Sequence, residues 1–331
     1  MTRAKVYVTR RLPEAALELL SRHTDMEVNP GERSLTRQEL IGKVRGCDAV
    51  LCLLTDTIDD EVLAAAGPQC RIFANYAVGY NNIDVAAATR RGIIIANTPD
   101  VLTDATADLA WALLLAVARR VAEGDKANRS GLFKGWEPLF MLGREVSGKI
   151  LGIIGAGRIG QAVARRGCGF AMKVIYSASR PNPELEAATG ARFVAREELL
   201  READFVSLHV PLTPATHHLI GERELAMMKP TAILINTARG PVVDEKALVA
   251  ALRTGRIWGA GLDVFEREPV LEPGLAELPN AVILPHLGSA TEETRTRMGL
   301  VAVENILAAL DGRTPPNGVN IKEALAARSG G

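Results

Sequence analysis

Aromatic residues are scarce in this chain of 331 residues, at 4 %, and no charge of either sign dominates, with 39 basic against 39 acidic side chains. A neutral chain has no field to draw in nucleic acid or an anionic membrane surface, so those partners are excluded and a small-molecule partner is favoured. Long hydrophobic runs are also missing. The longest, residues 109–118, lies between Asp108 and Arg119 and is about half of what spans a bilayer. The amino end passes from MTRA straight into the strand-like KVYVTR with no apolar signal region, which predicts a soluble, unexported, cytoplasmic protein. Cysteine is sparse: Cys47, Cys52, Cys70 and Cys168 form no CxxC pair and have apolar or small neighbours. Neither a disulfide framework nor a zinc site is signalled, and reduced, buried thiols are expected. His217-His218 has no second ligand group at usable spacing and reads as part of a polar loop after Pro214.

What is present is alternation. The apolar runs KVYV, MEV, AVLCLL, RIFANY and GIIIAN alternate with amphipathic segments at 13–22, 36–45, 59–66 and 84–91, a βα rhythm that predicts a parallel sheet with helices on both faces. After Thr98-Pro99 a long helix is predicted over 101–122. It is apolar nearly all round through WALLLAVA, so its expected cover is a neighbouring domain or subunit. A second alternation follows, with KILGII, KVIYS, DFVSLHV, AILIN, WGAGLD and AVILP as strands, continuous in apolar character as strands covered on both faces must be. A last helix is predicted over 290–310, stopped by Gly312 and Pro315-Pro316, and the Gly330-Gly331 end is expected to fray. The length suits two domains. The expected fold is α/β with two Rossmann-like parallel-sheet domains: a dinucleotide-binding domain at 100–287, inserted into a discontinuous domain of 1–99 plus 288–331, with a cleft between them.

The motif that points to a dinucleotide is KILGIIGAGRIG at 149–160, an apolar strand running into GxGxxG, with Ile159, Ala162 and Val163 opening an apolar helix face. Gly155 permits the tight turn, Gly157 lets the backbone approach a pyrophosphate, and Gly160 lets the helix pack close to its strand, while the helix N-terminus offers free N–H donors. At the end of the next strand, where NAD-binding units carry Asp or Glu, VIYSASRP places Ala178, and no carboxylate occurs between Gly160 and Glu184. An acid there would bond the ribose 2′-hydroxyl and repel a 2′-phosphate. Its absence, with Ser179 and Arg180 following, suits the phosphate, so NADP(H) is the preferred cofactor and NAD(H) a possible one. The plain alternative for Arg180 is a surface arginine beside Pro181.

In an open parallel sheet ligands bind beyond the carboxyl ends of strands. Three polar residues there stand out: Arg239 after AILINTA, Glu268 after AGLDVFER and His286 after AVILP. An arginine fork can grip a carboxylate and polarise a keto oxygen, a histidine can protonate that oxygen as hydride arrives, and a carboxylate beside it would orient the imidazole and favour its charged form. Each also has an ordinary reading: a strand-end salt bridge, a solvated loop charge and a capped helix entry.

The motifs around the trio, LINTARGPVVDEKAL, GAGLDVFEREP and PHLGSAT behind LGIIGAGRIG, resemble the D-isomer-specific 2-hydroxyacid dehydrogenases over almost the whole chain. NYAVGYNNID, VLTDATADLA and GWEPLFMLG bring the likeness closest to glyoxylate/hydroxypyruvate reductases. The resemblance implies that Arg239 binds the substrate carboxylate, that His286 is the acid/base, and that Glu268 rather than Glu266 pairs with it. It implies that Asp263 receives the nicotinamide carboxamide and that Thr106 lies near the cofactor, where the ordinary readings are a turn cap and a helix-start hydroxyl. Arg158, Ile159, Val210 and Pro211 would flank the dinucleotide, as would Thr237, Ala238 and Gly288. Leu54, the Val78-Gly79 backbone and Ser289 would line the substrate, and Trp136 would reach into the partner subunit's substrate site in a homodimer. The outer domain would be flavodoxin-like. The implied activity is NAD(P)H-dependent reduction of glyoxylate and hydroxypyruvate. The alternatives are another D-2-hydroxyacid dehydrogenase, phosphite dehydrogenase, whose resemblance is weakened by Val78 where those enzymes carry lysine, or a dinucleotide-sensing corepressor-like binding protein.

Overall fold

The computed structural model describes residues 3–329, so the expectation for Gly330-Gly331 lies outside the described residues. Two compact units form, one from the residues up to 102 together with those from 290 on, the other from residues 103–289.

In the first unit β1 (Lys5–Val8), β2 (Asp25–Val28), β3 (Ala49–Cys52), β4 (Ile72–Asn75) and β5 (Ile94–Ala96) form a parallel sheet in the order β2-β1-β3-β4-β5. That is the flavodoxin-like order. Every residue of β3, β4 and β5 is buried, as a sheet covered on both faces requires, whereas the edge strand β2 alternates between exposed and half-buried. Parallel neighbours need crossovers, here the helices Glu14–His23, Arg37–Val44, Asp60–Ala66 and Val85–Arg90. Short polar side chains start three of them: Thr36 in a capping box with Glu39, Asp59 accepting from the Glu61 and Val62 N–H groups, and Asp84 accepting from Ala87 N–H. The chain returns through Glu292–Leu310, which packs on Glu14–His23 and β4, and through Ile321–Ser329, which packs on Val85–Arg90 and β5. Sequence reasoning missed that last helix because IKEALAARS buries only Ala324 and so shows no apolar stripe.

In the second unit β6 (Ile150–Ile154), β7 (Lys173–Ser177), β8 (Arg192–Phe193), β9 (Phe205–Leu208), β10 (Ile233–Asn236), β11 (Gly259–Leu262) and β12 (Ala281–Ile283) pair in parallel in the order β12-β11-β10-β9-β6-β7-β8. The order reverses beside β6, which pairs with β7 on one side and β9 on the other, so the glycine-rich loop emerges where such sheets bind ligands. The two-residue β8, exposed at both positions, was not anticipated.

The helix expected over 101–122 is two helices, Thr103–Ala118 and Val121–Arg129. The break is at Arg120, at φ 54, whose guanidinium turns onto Glu123, while the Ala118 carbonyl takes the Arg144 N–H at 2.7 Å. Its cover also differs from expectation. Thr103–Ala118 packs on β10, β11, β12 and the helix Arg158–Cys168 of its own unit, and Trp111 donates to the Val163 carbonyl and stacks on Phe170. Cys47, Cys52 and Cys70 are buried free thiols as expected, but Cys168 is exposed because it ends its helix. Among the described residues no helix is long and apolar enough to cross a membrane.

Candidate active site

The loop after β6 has the shape of an anion cradle. Gly155 adopts φ +99, and a Cβ there would meet the His209 carbonyl carbon at 2.7 Å; a Cβ on Gly160 would lie 2.0 Å from the Gly155 carbonyl oxygen. Only glycine at these two positions lets the helix Arg158–Cys168 lie this close to the turn. Gly157 is its N-cap, with no side chain closing the terminus, and a Cβ there would meet nothing within 4 Å. A helix start without a side-chain cap, facing open space, fits a pyrophosphate. Thr237 adds a second indication, since its Oγ1 is buried with no hydrogen-bond partner, the condition of a group awaiting a ligand. Of the other residues expected along the dinucleotide, Ile159 and Val210 are half-buried, and Arg158 and Pro211 are exposed.

Beyond β7, Ala178 occupies the position of the ribose-binding acid, with Ser179 and Arg180 exposed. This turn is held by groups that sequence reasoning missed. The buried Tyr176 hydroxyl accepts the Asn182 N–H and donates to Glu186, both at 2.6 Å, and the Asn182 side chain caps the helix Pro183–Thr189 while donating to the Ala156 carbonyl. The glycine loop and the 178–182 turn are thereby tied together.

Arg239, Glu268 and His286 follow β10, β11 and β12 in turn. Buried Asn236 folds the first turn, its Nδ2 donating to the Arg239 carbonyl and its Oδ1 accepting the Ala238 N–H, each at 3.0 Å. His286 has φ 55, uncommon for a residue with a side chain. Its N–H donates to the Asp263 carbonyl at 2.9 Å, and its Nδ1 lies 2.9 Å from Glu268 Oε2. With Nδ1 committed to the carboxylate, Nε2 is the nitrogen left to serve a substrate. The other Glu268 oxygen accepts the Phe265 N–H at 3.1 Å. Burial works to raise the Glu268 carboxyl, but the His286 bond, this N–H and the Arg239 charge hold it below the usual carboxylate range. For Arg239, burial lowers the guanidinium pKa and Glu268 opposes that shift.

Glu266 is not in this constellation. Its Oε1 takes His218 Nε2 and the Glu245 N–H, each at 3.0 Å, so Glu268 is the carboxylate that meets the His286 ring. Asp263 is a turn cap, accepting the Leu287 N–H at 2.6 Å and the Gly288 N–H at 2.8 Å; burial raises its carboxyl while these bonds oppose the rise. Thr106 donates to the Gly288 carbonyl at 3.0 Å, fixing the same turn before Ser289.

In the first unit Leu54, Val78 and Gly79 lie at the carboxyl ends of β3 and β4 and are half-buried. Asn97 donates to the Val78 carbonyl at 2.7 Å and Asn75 to the Gly79 carbonyl at 2.9 Å. Asn82 bridges the Leu53 and Asp56 carbonyls. Trp136, in contrast, is 84 % exposed.

Residues 111–288 match the model of the D-isomer specific 2-hydroxyacid dehydrogenase NAD binding domain. A glyoxylate reductase of Thermococcus gammatolerans is 53 % identical, over 99 % of this chain and 98 % of its own. Among solved structures, a Thermus thermophilus protein superposes with a TM-score of 0.89 at 51 % identity, over 95 % of this chain and 99 % of that one. The NADPH-dependent glyoxylate/hydroxypyruvate reductase of Sinorhizobium meliloti, solved with NADP and malonate, superposes with a TM-score of 0.85 at 31 % identity, over 97 % of this chain and 98 % of that one. With the glycine cradle after β6 and the arginine, glutamate and histidine at three successive strand ends, these likenesses establish that the chain belongs to the D-isomer specific 2-hydroxyacid dehydrogenases.

Proposed function

We propose that this chain reduces glyoxylate to glycolate and hydroxypyruvate to D-glycerate, with NADPH as the preferred donor. The observation that carries the reading is the 2.9 Å contact of His286 Nδ1 with Glu268, which leaves Nε2 as the nitrogen to serve a substrate oxygen. Bound NADPH supplies the hydride. Arg239 grips the substrate carboxylate with its fork and polarises the keto oxygen, His286 delivers a proton to that oxygen, and Glu268 holds the imidazole in orientation and favours its charged form. Asp263 stations the 286–288 turn and offers its remaining lone pairs to a carboxamide. Ser289 adds to the substrate surroundings in this reading.

The NADPH preference rests on Ala178 standing where a ribose-binding acid would, with Ser179 and Arg180 exposed beside it. It is also the donor named for the Sinorhizobium relative. Homodimerisation belongs to the same proposal. The segment 132–142 exposes Leu132, Phe133, Trp136, Leu139, Phe140 and Leu142, with Leu139 at 80 %, a patch that a second copy would cover. A cytoplasmic, reducing location accords with the free thiols Cys47, Cys52 and Cys70.

The test is kcat/KM for glyoxylate, hydroxypyruvate, pyruvate and phosphite with NADPH and with NADH, in the parent and in the double variant Ala178→Asp/Arg180→Ala. A charge-assisted contact is worth about 1.5–3 kcal/mol, so a swing of about tenfold or more toward NADH is expected. A parent that prefers NADH, or a double variant without a swing, removes the 2′-phosphate assignment. Phosphite turnover above glyoxylate turnover removes the substrate assignment, and dinucleotide binding without any turnover would point to a sensing protein.

A further inference from the structure

Glu245 is buried, only 3 % exposed, at the first turn of the helix Glu245–Arg253. Its Oε2 has no hydrogen-bond partner. Helix capping does not account for it, because Asp244 already caps that helix by accepting the Ala247 N–H at 2.9 Å. A buried carboxylate with an unmet oxygen is costly, so some other gain offsets it. Its surroundings indicate what that gain is. Glu245 Oε1 accepts the Glu266 N–H at 2.7 Å, and Glu266 Oε1 accepts the Glu245 N–H in return at 3.0 Å. Glu266 follows Phe265, whose N–H holds Glu268 Oε1. Phe265 also lies against the Arg239 turn: a Cβ on Gly240 would be 1.9 Å from the Phe265 carbonyl. His218 closes the circuit, its N–H donating to the Pro241 carbonyl at 2.8 Å and its ring meeting Glu266.

We propose that Glu245 is a positioning residue for the reaction: interlocked with Glu266, its carboxylate fixes the loop that carries Glu268 against the turn that carries Arg239. The ladder between β10 and β11 ends at Asn236 and Leu262. The exchange between residues 245 and 266 therefore does past the sheet what the ladder does within it. A side-chain carboxylate suits the task because it accepts from a loop N–H that no strand neighbour reaches. The proposal rests on the reading of Arg239, Glu268 and His286 as the reacting groups.

The test uses the full chain and the variants Glu245→Ala, Glu245→Gln and Glu266→Ala, with His286→Ala as the control on the underlying reading. The measurements are kcat and KM for glyoxylate, Kd for NADPH and Tm. In Glu245→Ala kcat should fall on the order of 10- to 100-fold, the scale of a catalytic group misplaced by about 1 Å, while Kd for NADPH stays within about twofold. Glu245→Gln keeps an oxygen acceptor for the Glu266 N–H and should recover kcat to within about threefold of the parent. A folded Glu245→Ala with parental kcat overturns the proposal, as does a glutamine variant as impaired as the alanine one. Should Glu245→Ala not fold, Glu266→Ala decides, because it removes the return bond from a partly exposed position: a lost kcat supports the interlock and a parental kcat overturns it. If His286→Ala keeps its turnover, the reading of the trio fails instead, a result distinct from either of these.

Discussion

Gly240→Ala is the substitution whose consequence the structure specifies most closely. The Gly240 Cα faces the Phe265–Glu266 peptide so closely that an added Cβ would sit 1.9 Å from the Phe265 carbonyl carbon and oxygen and 2.4 Å from the Glu266 nitrogen. Cβ contacts essentially never fall under 3.0 Å, and both sides here are backbone, with no flexible side chain to yield. The Arg239 turn and the Glu268 loop must therefore part by about 1 Å, a misplacement that costs roughly 100-fold in rate when the groups involved must act together. Overpacking of this kind costs about 1–3 kcal/mol of stability, a Tm loss of several degrees for a domain of this size. The glycine cradle is built after β6, and this turn would contribute only Thr237 and Ala238 to the dinucleotide, so dinucleotide affinity should fall less than kcat/KM does. The assay is steady-state kcat/KM for glyoxylate, with NADPH affinity from fluorescence titration and Tm from calorimetry. Retention of kcat/KM within about threefold, in a protein that also keeps its Tm, would refute the claim that these two backbones are held at contact in the working enzyme. Loss of dinucleotide affinity in step with kcat would refute the separation of the two sites.

Two further outcomes follow from the geometry. Gly157→Ala places its Cβ where nothing lies within 4 Å, so Tm should stay within about a degree of the parent while KM for the dinucleotide rises tenfold or more, because the methyl occupies the approach of the pyrophosphate; an unchanged KM would show that the cofactor does not use this helix start. His209 is pushed from 6.5 down to about 3 by burial, with Ser207 Oγ 2.8 Å from its Nε2. A base whose folded pKa is depressed contributes stability above its unfolded pKa and loses it as pH falls toward the folded value, so the parent should lose Tm steadily below about pH 6.5, and His209→Gln, which keeps a side-chain partner for Ser207, should flatten that loss. An equally steep acid limb in the variant would show that other groups set it.

Local pattern was enough for much of this protein. The alternation of apolar runs gave all but one of the strands, because a strand covered on both faces must be apolar throughout, and three of the expected amphipathic segments open at Thr36, Asp59 and Asp84, whose side chains cap their helices. The glycine loop and the order of Arg239, Glu268 and His286 past strand ends were legible for the same reason: each comes within about six residues of an apolar run. The failures also have physical causes. Ile321–Ser329 buries too little to show a period, and the break at Arg120 depends on Arg144 capturing the carbonyl of Ala118 from across a loop.

What the tertiary structure alone decided is which polar groups meet. Periodicity fixes which face a residue presents and says nothing about partners supplied by another loop. That Glu268 rather than Glu266 reaches His286 could be taken from motif likeness, but not from the spacing of two carboxylates in DVFEREP. The interlock of Glu245 with Glu266 and the capture of both Asp263 oxygens by Leu287 and Gly288 left no mark in the chain's pattern. They arise because the parallel register of β9, β10, β11 and β12 brings turns far apart in sequence to one edge of the sheet, where unpaired N–H groups take whichever buried oxygen that register sets beside them.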